Sequence, residues 1–263
     1  MKKNFVSIIV NCHNGETYLK NALSSLINQT HKNWEVVFWD NNSSDNSKKI
    51  FEKFNDKRFR YFFSKKKNTL YKARKLALSK TRGEFISFLD VDDWWLPKKL
   101  ETQLIKFKNK SIDFLFSNVM IYDEEKNSKK IWITKNFTKP ITLSTAINDY
   151  KISILTTIFR KKLLKKLQLN FNVKYKIIGD FDLFIKIVNK VKAFYIHKPL
   201  AVYRMHENNF SKKNSYTWIK ELEHWLNVNK EILSPENTRN MKKKILRLKI
   251  IFFCKSIKSY FFL

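Results

Sequence analysis

The stretch Phe85-Ile86-Ser87-Phe88-Leu89-Asp90-Val91-Asp92-Asp93 decides the fold, because it joins the pattern of a buried strand directly to a cluster of acids. The apolar run predicts a strand that ends at Leu89. Carboxylates at positions i and i+2 in the turn that follows can converge on Mg²⁺ or Mn²⁺, which proteins hold with one or two carboxylates plus substrate phosphates. The alternative is that the acids only cap the helix opened by Pro97. Three acids in a strongly basic chain favour the metal.

Similar apolar runs lie on both sides of this stretch and alternate with segments of helical periodicity. The predicted strands are Phe5–Val10, Glu35–Trp39, Arg60–Phe63, Phe85–Leu89 and Phe114–Val119. This alternation predicts an α/β fold with a parallel sheet and right-handed crossovers. Ligands bind beyond the carboxyl ends of strands in such sheets. Polar side chains follow three of the runs there: Asn11, His13, Asp40, Asp90, Asp92 and Asp93.

The second half of the chain has a less regular pattern. It predicts a charged loop at Asp123–Lys130, a β-rich run at Ile152–Phe159, a helix just after Gly179-Asp180, short strands at Ala193–Ile196 and Leu200–Tyr203, and a helix at Thr217–Leu233.

The net charge of +30, from 53 basic and 23 acidic residues, suits anionic partners such as nucleic acid, acidic lipid or phosphorylated ligands. The excess of Lys, Asn, Ile and Phe, with only three Gly and four Pro, is also typical of an AT-rich coding sequence. The charge alone therefore identifies no partner.

The cysteine content and the apolar runs indicate a cytoplasmic protein. Cys12 and Cys254 are too far apart for a disulfide framework or a cysteine-rich zinc site, and they fit a reducing compartment. The run that starts at Phe5 is short and ends in polar residues, unlike a secretion signal. No stretch approaches the roughly 20 apolar residues of a spanning helix.

Six short motifs, in order and suitably spaced, resemble those of glycosyltransferase family 2, the inverting enzymes of the GT-A fold that use nucleotide-sugars. They are Val6–Val10 followed by Asn14, Asp40–Asp45 (family "DDGSTD"), Ala73-Arg74 ("ARN"), Asp90–Asp93 (DxD), Gly179–Leu183 ("ED-x-D-L") and Tyr203–Ser211 ("YRxHxxNxS"). The resemblance implies a nucleotide-diphospho-sugar transferase fold, with a Rossmann-like, mostly parallel central sheet flanked by helices.

Four of the six motifs depart from the family pattern. Asn11-Cys12-His13 replaces the usual Pro-x-Tyr, and Asn41-Asn42 replaces the second Asp and the Gly of "DDGSTD". Gly179 stands where the family has Glu, and Lys75 where it has Asn. These departures remove no residue that the chemistry requires, but they make the donor preference harder to infer.

The resemblance assigns residues to the nucleotide of the donor. Asp40 would accept a hydrogen bond from the imide N–H of uracil, and Glu16 would reach the ribose. Arg74 would sit near the base or the diphosphate, because a forked, permanent charge suits phosphate; the alternative is a solvated helix residue. The full donor set is Asn11, His13, Glu16, Asp40, Arg74 and Asp90.

The resemblance also implies a Mg²⁺ or Mn²⁺ site. Asp92 would be the main ligand. Asp90 would be either a second ligand or a neighbour of Asp92 that does not itself contact the cation. His206 would be a third ligand or a diphosphate contact, and Arg204 would contact the diphosphate. The cation would neutralise the leaving nucleotide as a Lewis acid.

Asp180 is the predicted general base. Inversion needs one carboxylate that removes the proton of the acceptor hydroxyl as its oxygen attacks the anomeric carbon, and such proton transfer contributes about 10²–10⁴ in rate. The alternative is an acid that only favours a helix N-terminus. Asp182 is expected to be structural.

We expect a transferase domain over residues 1–212, with a nucleotide-sugar-binding half at 1–118 and an acceptor-binding half at 119–212, followed by a basic helical extension at 213–263. From Asn237 onward, lysine clusters alternate with apolar residues and no acid occurs. Such a segment either docks on an anionic membrane or packs on the domain with its lysines solvated.

The predicted function is a metal-dependent inverting transfer of a sugar from a nucleotide-sugar, with UDP-sugars favoured, to a hydroxyl of a cell-surface glycan or lipid-linked acceptor such as lipopolysaccharide or capsule. We expect the protein on the cytoplasmic face of the inner membrane and no nucleic-acid partner. A haloacid-dehalogenase-like phosphatase fits less well, because Trp94 stands where that family has Thr or Val. A basic nucleic-acid-binding protein fits less well because the predicted rim is acidic.

Overall fold

The computed structural model describes residues 4–210 and 214–260. Ser211 of the last motif and the predicted boundary at residues 212–213 lie outside these residues.

The strands are β1 Val6–Cys12, β2 Trp34–Asp40, β3 Phe59–Phe63, β4 Phe85–Asp90, β5 Trp94–Trp95, β6 Phe114–Asp123, β7 Ser128–Ile131, β8 Ile158–Arg160 and β9 Ala193–Met205. The helices are α1 Glu16–Ile27, α2 Ser47–Glu52, α3 Leu70–Ser79, α4 Lys99–Lys106, α5 Leu143–Asn148, α6 Lys161–Leu167, α7 Gly179–Val188, α8 Ser215–Val228 and α9 Pro235–Tyr260. Short 3-10 turns lie at Ile154–Thr156 and Lys230–Ile232.

One sheet runs through the described residues in the order β3-β2-β1-β4-β8-β6-β9-β5, and β7 pairs with β6. Strands β1 to β4 are parallel, as predicted. Beyond them the sheet is mixed, because β8 is antiparallel to both β4 and β6, whereas β6 and β9 are parallel. The prediction of parallel strands therefore holds for β1 to β4 and for the pair β6–β9, whereas the other pairings in the second half are antiparallel.

Helices cover both faces of the sheet, and each face has its own apolar cluster. Alternate side chains of β1 divide between them: Ile8 and Val10 join one cluster, and Ile9 joins the other. A strand covered on both faces reads as a continuous apolar run, which is why the β1 pattern was recognisable in the sequence.

Three predictions for the second half need correction. Asp123–Lys130 is not only a loop, because β6 extends to Asp123 and pairs there with Ser128 of β7. The two strands predicted around Pro199 form one strand, β9, whose register shifts at Pro199, which has no N–H to donate. The helix predicted to reach Leu233 ends at Val228.

Candidate active site

The carboxyl ends of β1, β2 and β4 form one rim, as the sequence predicted. In the strand register Asn11 is opposite Asp90, and Cys12 is opposite Asp40. Side chains from three distant parts of the chain are thereby brought to one rim.

Asp40 is almost fully buried, and both of its carboxylate oxygens are bonded. The backbone N–H of Ser43 donates to Oδ1 at 2.8 Å, and the hydroxyl of Tyr61 donates to Oδ2 at 2.6 Å. Burial and the contact with Asp40 raise the pKa of Tyr61, so the phenol keeps its proton. Each carboxylate oxygen can accept a further hydrogen bond, which leaves Asp40 able to bind a donor such as an imide N–H.

The end of β1 contains two buried polar atoms that have no hydrogen-bond partner among the described residues, Asn11 Nδ2 and His13 Nδ1. Buried polar atoms are normally paired, so these two are available to a ligand. Glu16 is exposed, and its Oε2 accepts from the N–H and Nδ2 of Asn46, both at 2.9 Å. That contact fastens α1 to the loop after β2.

Arg74 is a buried residue and not a solvated one, with 3% of its surface exposed. Its Nη2 lies 2.6 Å from Asp90 Oδ1, and its guanidinium is 5.4 Å from the centre of the Tyr71 ring. Burial alone would lower the pKa of Arg74, but the charge of Asp90 and those of its other neighbours outweigh it and raise the pKa. Arg74 therefore stays charged and fixes the position of Asp90.

Asp92 lies beside His206 and Asn209. Its Oδ2 is 3.2 Å from His206 Nε2 and 3.4 Å from Asn209 Nδ2. Burial and the nearby charge of Asp90 raise the pKa of Asp92, and the hydrogen bond with His206 opposes that rise. A carboxylate destabilised in this way gains from a bound cation.

The donor set suits Mg²⁺ or Mn²⁺, since Asp92 and His206 are adjacent and Asp90 is close enough to influence Asp92. Within residues 4–210 and 214–260 no three His, Cys, Asp or Glu side chains converge as a complete metal cage. The remaining ligands would have to come from substrate phosphates and water, as is usual for Mg²⁺.

Arg204 bonds to both Asp92 and Asp93. Its backbone N–H donates to Asp93 Oδ1 at 2.8 Å, and its side-chain Nε donates to the backbone carbonyl of Asp92 at 3.0 Å. Its Nη1 lies 2.9 Å from Glu124 Oε1, and its guanidinium lies 4.5 Å from the Tyr18 ring centre. The two-residue strand β5 pairs with β9 and brings these segments together. With its fork so engaged, Arg204 positions Asp92; its contact with a diphosphate stays a prediction.

Asp180 lies in the first turn of α7, partly buried. Its Oδ1 is 2.8 Å from the hydroxyl of Tyr71, which is also 2.5 Å from the carbonyl of Ile177. Burial raises the pKa of Asp180, while the charge of Arg74 and the hydrogen bond from Tyr71 oppose the rise. A carboxylate with a raised pKa is a stronger base than a free one, as a general base requires.

Gly179 explains how Tyr71 comes so close to Asp180. A Cβ at residue 179 would lie 2.4 Å from Cγ of Tyr71. The ring therefore occupies the space that any larger residue at position 179 would need. Asp182, as predicted, is structural: Trp225 Nε1 donates to its Oδ1 at 2.9 Å, and Lys186 Nζ is 2.7 Å away.

Sequence reasoning missed Tyr71, Tyr18, Glu124 and the supporting roles of Asp93 and Asn209. A signal existed for Tyr71, which precedes Arg74 by three residues and so shares its helix face. Tyr18 and Glu124 meet across 106 residues at 2.6 Å, and no local pattern shows such a contact.

A model of the family described as Glycosyl transferase family 2 matches residues 7–168. The chain belongs to glycosyltransferase family 2. It is therefore a glycosyltransferase, and the predicted family and GT-A fold are confirmed.

Two curated relatives and one solved structure are informative. The chain is 30% identical over 219 residues to UDP-Glc:alpha-D-GlcNAc-diphosphoundecaprenol beta-1,3-glucosyltransferase WfgD of Escherichia coli, a match that covers 82% of each chain. It is also 30% identical to GalNAc(5)-diNAcBac-PP-undecaprenol beta-1,3-glucosyltransferase of Campylobacter jejuni, over 80% of this chain and 69% of that protein. S. aureus TarS 1-349, solved with UDP-GlcNAc, is similar in fold with a TM-score of 0.70 at 21% identity, over 94% of this chain and 73% of TarS.

Proposed function

We propose that this family 2 enzyme transfers a sugar, with inversion, from a UDP-sugar to a hydroxyl of a lipid-linked glycan. One observation carries the proposal: buried Arg74 contacts Asp90 at the rim and packs against Tyr71, whose hydroxyl is bonded to Asp180. The proposed base and the proposed donor-binding rim therefore belong to one connected cluster. The relatives support the substrate classes, because the names of both specify undecaprenol-linked acceptors and the first specifies UDP-Glc.

In this proposal the chain's own residues bind the donor and move the proton. Asp40, Asn11 and His13 hold the nucleotide at the strand ends, and Asp180 takes the proton from the attacking hydroxyl. Asp92 and His206 would hold Mg²⁺ or Mn²⁺, which supplies charge neutralisation at the diphosphate. Residues 1–118 supply the donor half and residues 119–212 the acceptor half.

Nucleotide binding tests the donor side. Purified protein is titrated with UDP, GDP and CMP, each with and without Mn²⁺. We expect Mn²⁺-dependent binding of UDP alone, and loss of the Mn²⁺ dependence in Asp92→Asn but not in the exposed control Glu125→Gln. Salt-sensitive binding to nucleic acid without any nucleotide binding would contradict the proposal and favour the nucleic-acid alternative.

Transfer assays test the base. Asp180→Asn should keep UDP affinity and melting temperature but lose about 10²-fold or more in kcat. Normal turnover by this variant would remove Asp180 as the base.

We also propose peripheral membrane association through the outer face of α9. The inner face of this helix packs on the domain through Met241 and Ile245, whereas Leu246 and Ile250 are 58% and 53% exposed. Exposed lysines lie among them, and a basic face with apolar residues suits an anionic bilayer surface. None of the described helices has the length and low polarity needed to cross a bilayer.

Substitution on this outer face separates membrane binding from folding. Leu246→Ser with Ile250→Ser should lower binding to anionic liposomes without lowering the melting temperature, since neither side chain is buried. Unchanged liposome binding would mean that the helix only packs on the domain.

A further inference from the structure

A cavity of about 510 Å³ opens beside Asp180, and part of its wall comes from the C-terminal helices. Trp218 and Leu222 of α8, and Met241 and Lys244 of α9, line it together with Asp180. The volume is in the range of small-molecule binding sites. The extension predicted as a separate basic segment thus forms part of the space next to the proposed base.

The walls of this cavity suit a sugar. Trp218, Tyr203 and Phe181 present aromatic and apolar surface, which packs well against the C–H faces of a pyranose ring. The buried hydroxyl of Tyr150 has no hydrogen-bond partner among the described residues. An unpaired buried hydroxyl is unfavourable, so a hydrogen bond with a polar group of a ligand would stabilise it.

Lys244 adds a charge to this apolar lining. It is the one basic residue among the described residues that line the cavity. Asp149, whose charge acts on Lys244, forms its ion pair with Lys151 at 3.0 Å. Within the described chain no carboxylate lies within ion-pair distance of Lys244. Its burial lowers its pKa, and a partly buried ammonium without a carboxylate partner is suited to phosphate.

We propose that this cavity is the acceptor subsite and that Lys244 binds a phosphate group attached to the acceptor sugar. The proposal rests on the glycosyl transfer proposed above and narrows its acceptor to a sugar 1-phosphate or 1-diphosphate. The C-terminal helices then determine acceptor specificity, in addition to any contact with the membrane.

Two probes and two matched variants test it in the full chain. The probes are an N-acetylglucosamine 1-diphosphate with a short alkyl tail and the neutral alkyl glycoside of the same sugar, titrated with UDP and Mn²⁺ present. The variants are Lys244→Met and Lys243→Met, which remove the same charge from neighbouring positions of α9. Lys243 is exposed.

We expect wild-type protein to prefer the diphosphate probe, and Lys244→Met to bind that probe about tenfold or more weakly, the loss expected for a hydrogen bond to a charged group. The affinity of Lys244→Met for the neutral glycoside should match that of wild type. Lys243→Met should bind both probes as wild type does. Lys244→Arg, which keeps the charge, should retain most of the preference. Equal effects of the two methionine variants, or a wild type without preference for the diphosphate, would overturn the proposal.

Tyr150→Phe gives a second measurement. Because the hydroxyl has no hydrogen-bond partner among the described residues, its loss should leave the melting temperature unchanged or higher while both probes bind several-fold more weakly. Unchanged binding of both probes would remove Tyr150 from the subsite. UDP affinity, measured on the same samples, separates the two proposals: its absence in wild type contradicts the transferase proposal, whereas intact UDP binding without a Lys244 effect contradicts only the subsite.

Discussion

The contact between Gly179 and Tyr71 gives a quantitative prediction for Gly179→Ala. The added Cβ would lie 2.4, 2.5 and 2.7 Å from three atoms of the Tyr71 ring, where ordinary contacts are 3.4–4 Å. The ring would have to retreat by about 1 Å, but it is buried between Phe171 and Arg74. Overpacking of this kind costs about 1–3 kcal/mol.

The expected result is a lower melting temperature together with lower activity. A loss of 1 kcal/mol shifts the melting temperature of a domain of this size by about 2–4 °C, so the middle of the range corresponds to about 6 °C. Transfer should fall as well, because the displaced ring no longer holds its hydroxyl 2.8 Å from Asp180. UDP binding should fall less than transfer because, among the described residues, the Tyr71 ring touches the proposed donor site only through Arg74.

A double-mutant cycle measures whether Tyr71 is the cause. In a Tyr71→Ala background the space is open, and Ala is favoured over Gly within a helix by up to about 1 kcal/mol. Gly179→Ala should then be neutral or stabilising. Gly83→Ala is the control, because its Cβ would meet Ser7 and Phe5 instead, so its penalty should be the same in both backgrounds. Equal penalties for Gly179→Ala in the two backgrounds would refute the reasoning.

Two further predictions concern the base and its anchors. Tyr71→Phe removes a hydrogen bond that lowers the pKa of Asp180, so this pKa should rise further. The acidic limb of the kcat/KM profile should then move to higher pH, with activity about tenfold lower on that limb. The control Tyr195→Phe should leave the limb where it is. Glu221→Gln replaces by an amide the carboxylate that accepts three N–H groups just before α7. It should lower the melting temperature by several degrees, and it should lower kcat more than UDP affinity. An unchanged kcat would show that these three hydrogen bonds do not position the base.

The rim that carries the proposed donor residues could be predicted from the sequence because its signals are local. Each buried parallel strand gives a continuous apolar run, and the residues that follow reach the rim regardless of how the rest of the chain folds. Asp40 and Asp90 therefore lie at one rim, on either side of β1, as expected. The resemblance to the family added Asp180 and His206, which no strand pattern indicates.

The remaining site contacts depend on segments that are distant in sequence or on elements too short to show a hydrophobic periodicity. Strand β5 has two residues, Trp94 and Trp95, yet its pairing with β9 brings Arg204 within hydrogen-bond distance of Asp92. The sequence showed that Gly179 departs from the family pattern, but not that Tyr71 fills the space. Likewise, the packing of Met241 and Ile245 of α9 on the domain follows no local pattern, and membrane docking of its exposed face stays a prediction.

The carboxylate of Glu221 has a consequence for the order in which the enzyme becomes active during synthesis. It bonds the N–H groups of residues 176–178, which lie 43 to 45 positions earlier in the chain. A ribosome releases Asp180 well before Glu221 and Trp225, so the base emerges without the groups that orient its helix. In the proposed mechanism, the strands that bind the nucleotide can assemble during that interval, whereas transfer requires that α8 has emerged and docked. A nascent chain would thus bind its donor before it could use it.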